Sequence, residues 1–124
     1  MDSLNYKESE TKSVLDLTQE PVHTNDNKDL GDIDAISKDS IVVKRGFKDV
    51  HYYYIPISKV EGWDGHVVWL KIPETEVINN YESKEEPDKS RYYTKDMGGY
   101  SDTDISRNRK INMPNVTVIS HKDK

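Results

Sequence analysis

The stretch Val60-Glu61-Gly62-Trp63-Asp64-Gly65-His66-Val67-Val68-Trp69-Leu70-Lys71-Ile72 decides the fold. Asp64-Gly65 between apolar flanks is a two-residue hairpin signature, since the favoured tight turn needs positive φ at both positions. Past the turn the period is two, the spacing of a strand. Val68, Leu70 and Ile72 share one face, and Val67, Trp69 and Lys71 share the other. The first face is uniformly aliphatic and is the expected core face. Trp69 then stands on the opposite face.

Upstream segments read the same way. His51-Tyr52-Tyr53-Tyr54-Ile55-Pro56-Ile57 is rich in strand formers, and Pro56 lacks a ladder donor, so it belongs at an edge, a bulge or a strand end. Ser40-Ile41-Val42-Val43-Lys44-Arg45-Gly46 is a β-branched run closed by glycine. Gly31 to Ile36 alternates polar and apolar, with Ile33 and Ala35 on one side, and Ser37-Lys38-Asp39 is turn chemistry between the two. Glu20 to Thr24 reads as a further short strand, followed by the polar turn Asn25 to Asp29. Downstream, Pro73-Glu74-Thr75-Glu76-Val77-Ile78 changes period. Proline suits a first helical turn and the glutamates suit the positive end of the helix dipole, so a short helix is expected up to Tyr81.

Composition agrees with this division. The chain of 124 residues is only 33% hydrophobic and 33% charged. More than half of its hydrophobic residues, with both tryptophans and the only phenylalanine, fall between Leu30 and Asn80. Only that region holds enough apolar area to offset the entropy of ordering. The expected layout is a disordered tail over 1–17, one domain over 18–81, and a mostly disordered tail over 82–124 with a short strand at 115–120.

The order of these segments resembles the PRC-barrel superfamily. The resemblance is carried by Pro21-Val22-His23-Thr24, Leu30 to Ile36, Ile41 to Gly46, Tyr53-Tyr54-Ile55-Pro56, Ile57-Ser58-Lys59-Val60-Glu61, and the Asp64-Gly65 turn leading to Val68-Trp69-Leu70. It covers about half of the chain. Members include the cytoplasmic domain of the photosynthetic reaction-centre H subunit, the C-terminal domain of a ribosome maturation factor, and stand-alone microbial proteins. The resemblance implies a mainly β fold: a small PRC-barrel-like barrel of SH3-like size, with about five short antiparallel strands and a short C-terminal helix. It also implies partner binding without a shared catalytic residue. One departure is Asn25-Asp26-Asn27-Lys28, where the family commonly has an Asp-Gly turn, so a looser first hairpin is expected.

The residues themselves offer little catalytic or metal chemistry. His23, His51, His66 and His121 lack the paired helical spacing of a zinc protease, and a cluster of His51, His66 and Asp64 requires their strands to adjoin. Asp26, Asp29, Asp32 and Asp34 fail as a calcium loop: with Gly31 at the sixth position, Lys28 and Leu30 occupy ligand positions. No glycine pattern cradles phosphate, and no cysteine is present for a thiolate site. A non-enzyme without cofactor or metal is expected.

Two sets of residues remain as contact candidates. Tyr52, Tyr53 and Tyr54 alternate between faces, and with Trp63 and Trp69 they are candidate partner contacts, because aromatic residues are enriched at interfaces. Lys44, Arg45, Lys48 and Lys59 form the candidate basic patch. The net charge of -5 disfavours direct nucleic-acid binding. No apolar run approaches the roughly 20 residues of a membrane helix, and the first residues lack the pattern of a secretory leader. The expectation is a cytoplasmic adaptor that binds another protein or a second copy of itself. The alternative is an RNA- or ribosome-associated accessory factor, by analogy with the maturation-factor branch.

Overall fold

β-Branched and aromatic residues favour a pleated backbone, and the segments richest in them form the longest strands. The computed structural model describes residues 10–94 and 113–119. Within these residues the strands are β1 (Thr11–Ser13), β2 (Pro21–His23), β3 (Asp29–Ile36), β4 (Ser40–Arg45), β5 (His51–Pro56), β6 (Val60–Trp63) and β7 (Val68–Leu70). The helix α1 (Glu74–Tyr81) follows, then β8 (Glu82–Ser83), β9 (Tyr93–Thr94) and β10 (Asn115–Thr117). Pro73 stands immediately before α1, and Pro56 is the last residue of β5, where a missing donor is tolerated.

The fold is mainly β, as expected, yet it differs from the expected barrel in three ways. The main sheet runs β6-β7-β2-β3-β4-β5-β8, with β9 added beside the end of β3, and among the described residues it does not close on itself. The place beside β6 where a closing strand would lie is taken by the C-terminal segment: Val118 bridges Trp63, and Ile119 donates its N–H to the Trp63 carbonyl at 2.9 Å. The strands are not all antiparallel, since β2 and β7 pair in parallel, with Val22 opposite Val68 and His23 opposite Trp69. There are also ten strands among the described residues rather than about five. Besides the strand expected at 115–120, the additions are β1, β8 and β9, pieces of two or three residues whose pairing rests on partners distant in sequence.

The turns differ as well. Asp64 and Gly65 do not make a two-residue turn with two positive φ values; Gly65 has φ 98° and Asp64 is not in that region. Four residues separate β6 from β7, and the Asp64 carboxylate accepts the N–H groups of His66 and Val67, both at 2.8 Å. This side-chain turn replaces the backbone one. The first hairpin is tied down rather than loose. Thr24, fully buried, accepts the Lys28 N–H at 3.0 Å, Asp26 accepts the Thr24 hydroxyl, and Asn25 donates its side-chain amide to the Lys71 carbonyl at 2.9 Å.

The core face reads as the aliphatic alternation predicts in β4, β5 and β7, but not in β3, where a bulge between Ile33 and Ala35 sends Ala35 to the opposite face and brings Ile36 into the core beside Ile33. Ile33, Ile36, Ile41, Val43, Ile55, Val68, Leu70 and Ile72 pack together, and Val77 of α1 covers them. Residues 11–17, assigned to a tail on composition, belong to this core. β1 pairs with β10, and the following turn buries Val14 and Leu17. Each such side chain contributes about 1.5–3 kcal/mol on burial, which is why a short polar segment stays attached. Residues 82–94 likewise form β8, a turn at Asp88 and β9, while Gly98, Gly99 and Tyr100 lie outside the described residues. The expected strand at 115–120 is observed over Asn115–Thr117. No helix among the described residues is long and apolar enough to cross a membrane.

Candidate functional site

The most exposed large apolar side chain is Phe47, 88% accessible, at the tip of the loop between β4 and β5. It is the only phenylalanine in the chain. Gly46 opens this loop with φ 98°, and a Cβ there would lie 2.4 Å from the Asp49 carbonyl oxygen, so glycine is required for the bend. Both flanks of the loop are held by charged contacts. Arg45 pairs with Glu74 of α1 at 3.0 Å and donates to the Tyr53 hydroxyl at 3.4 Å. The Tyr53 bond and the Glu74 partner raise the Arg45 pKa against the opposing effect of burial. His51 contacts Asp49 at 3.2 Å through one ring nitrogen and Glu82 through the other. Lys84 reaches Asp49 at 3.5 Å, and the His51 bond, more than the Lys84 charge, lowers the Asp49 pKa. These ties tether both ends of the loop that carries the phenyl ring.

The five expected contact aromatics are placed differently. None of them is exposed. Tyr53 is buried in the main core between β4 and β8. Tyr52 joins Ala35 and Val42 in a second cluster on the other face of the sheet, against which Val50, Tyr54 and Tyr92 pack. Tyr54 donates its hydroxyl to the Glu85 carbonyl at 2.7 Å and meets Tyr92 edge to face. Trp69 is 8% exposed. Its indole N–H donates to Asp64 at 2.9 Å, and its ring lies edge-on to His23 at 5.3 Å, across the parallel β2–β7 pair. Trp63 is half-buried, donating to Glu20 at 3.2 Å beneath the Lys12 ammonium. The chain covers these rings with its own residues, whereas the composition of strands alone left their outer faces open.

The four basic candidates do not meet on one face. Lys44 and Arg45 are consecutive in β4 and therefore project to opposite faces. Lys44 is opposite Tyr52, on the side of the second cluster, and Arg45 is opposite His51 and tied to Glu74. Lys48 is exposed in the Phe47 loop, and Lys59 lies in the turn before β6. His51 and His66 are also far apart in the sheet order, on β5 and beside β7. Among the described residues no three His, Asp or Glu side chains converge as metal ligands. Sequence reasoning missed Phe47 as a contact; a lone aromatic in the polar turn Arg45-Gly46-Phe47-Lys48-Asp49, with no alternating neighbour, was the available signal.

Compared with protein-family models, curated proteins and solved structures, the chain matches none.

Proposed function

We propose that the chain is a non-catalytic, cytoplasmic protein-binding module, an adaptor of the kind the PRC-barrel resemblance implies. The observation that carries this reading is Phe47, an aromatic ring projected at 88% exposure from a loop whose flanks are fixed by ion pairs. A buried aromatic anchor supplies much of the energy of an interface, and fixing it beforehand lowers the ordering cost of association. Lys48 beside it favours a partner pocket with an acidic rim. The reading as an RNA- or ribosome-associated factor is not carried further, because Lys44 and Arg45 leave opposite faces of β4.

The test is quantitative capture from extract of the native cell on immobilised full-length chain. The protein partner retained by the unaltered chain and by Ile78→Ala is expected to fall by at least about tenfold with Phe47→Ala. Equal retention on Phe47→Ala contradicts the assignment.

A further inference from the structure

β1 pairs with β10 on one side, and among the described residues no strand takes its other side. Which backbone groups point outward follows from the ladder. Val118 donates its N–H to the Glu10 carbonyl at 3.2 Å, and Val14 donates to the Pro114 carbonyl at 3.1 Å. With Lys12 opposite Val116, residues 10, 12 and 14 therefore turn their backbone groups toward β10. Thr11 and Ser13, the alternate residues, turn theirs away. Ser13 is also the N-cap of the turn Val14–Leu17, so its carbonyl accepts within that turn. Thr11, which is exposed, is left as the one residue of β1 that offers both a donor and an acceptor outward. Open edge groups of this kind are a template for another strand.

The side chains on this edge select the strand that fits. Glu10 and Lys12 project to one face of β1. Glu10 is exposed, and the Lys12 ammonium lies 5.2 Å from the centre of the Trp63 ring. An antiparallel copy of the same strand, with Thr11 on the two-fold axis, exchanges both Thr11 bonds. It also sets Glu10 of each copy opposite Lys12 of the other. These are the closer, non-hydrogen-bonded cross-strand positions, where opposite charges attract. The alternative two-fold register, with Lys12 on the axis, needs the occupied Ser13 carbonyl and opposes two like charges.

We propose that β1 joins β1 of a second copy of this chain in the Thr11-centred register. The product is a symmetric dimer whose continuous sheet runs β10-β1-β1-β10. A seam this short makes the dimer a weak one. It involves neither Phe47 nor its loop and does not depend on them.

The test is sedimentation equilibrium of the full chain from micromolar to millimolar concentration at low salt. A monomer–dimer equilibrium is expected, unchanged in Phe47→Ala. Glu10→Lys alone and Lys12→Glu alone each oppose like charges and weaken the dimer by about tenfold or more. An equimolar mixture of the two variants restores it, since each Lys then meets a Glu across the seam. Thr11→Pro removes both bonds on the axis and weakens the dimer likewise. Val116 keeps its amide protection in that variant, because the β10 side of β1 is untouched. The proposal is overturned by a chain that stays monomeric at millimolar concentration, leaving the edge to a strand of another protein. It is equally overturned by a dimer that persists in Glu10→Lys and Thr11→Pro, by a dimer lost in Phe47→Ala, or by a mixture of the two folded charge variants no more dimeric than each alone.

Discussion

The carbonyl oxygen of Thr117 lies 2.7 Å from the point a Cβ on Gly62 would occupy. Residues 55 positions apart in sequence thus touch only because one of them has no side chain. This contact seats β10 beside β6, and β10 in turn holds β1, so both described ends of the chain close over the main sheet.

Gly62→Ala forces that contact apart. The Ile119 side chain, 2.9 Å from the same point, can turn aside, whereas the Thr117 backbone cannot. Overpacking of this kind costs about 1–3 kcal/mol. Amide exchange at Val116 and Val118 is expected to rise well above that of β4 in the same protein. Unchanged protection at those amides would show that the C-terminal strand does not rest on Gly62.

Leu17→Ala tests whether the N-terminal segment is part of the core. Leu17 is 1% exposed and packs with Val14, Val22 and their neighbours. Truncating a buried leucine costs about 2–5 kcal/mol, so the denaturant midpoint should fall sharply. A shift no larger than that of an exposed change such as Lys28→Ala would return residues 11–17 to the status of a tail.

Much of the fold was legible because it follows from period. β3, β4, β5, β7 and α1 each carry their own apolar pattern, and Ile41, Val43 and Ile55 lie where alternation places them. The short strands β1 and β8 were not legible: Thr11-Lys12-Ser13 and Glu82-Ser83 show little pattern of their own, and their partners, Asn115 to Thr117 and Tyr52-Tyr53, are far away in sequence. β10 falls within the strand read at 115–120, which the alternation of Val116 and Val118 announces. Trp69 lies on the face that alternation predicts, but whether that face is covered was not legible, since its cover, His23, arrives through a parallel pairing that no local signal announces. Phe47 stands alone in a polar turn, where no alternation of aromatics points to it.

Three carboxylates contribute to the acid limb of stability. Asp26, held by the Thr24 hydroxyl and the Glu74 N–H, Asp49, held chiefly by His51, and Asp88, held by the Ser90 N–H, all have pKa values lowered from 3.8. A lowered folded pKa gives stability that is present above the unfolded value and lost as pH falls through the folded one. The thermal midpoint should therefore decline below about pH 4, and Asp26→Asn should shallow that decline. An identical acid limb in Asp26→Asn would remove Asp26 from the account.

At the alkaline end the sign reverses. Burial, with Tyr92 and Glu85 nearby, pushes the Tyr54 pKa from 10.0 to about 12. Its stabilising effect is complete below the unfolded value and is lost as pH rises through the window between those two values. Ultraviolet phenolate titration should show a late-ionising tyrosine that disappears in Tyr54→Phe. A full complement of tyrosines ionising near 10 would contradict the packing of Tyr54 against Tyr92 and Glu85.

The most direct measurement of the binding account is amide exchange of the full chain, free and saturated with the protein retained in the capture experiment. The account predicts that protection on binding centres on residues 46–50, the loop that carries Phe47. Protection confined to the outer edges of β6 or β8, with residues 46–50 exchanging as they do in the free chain, would contradict it.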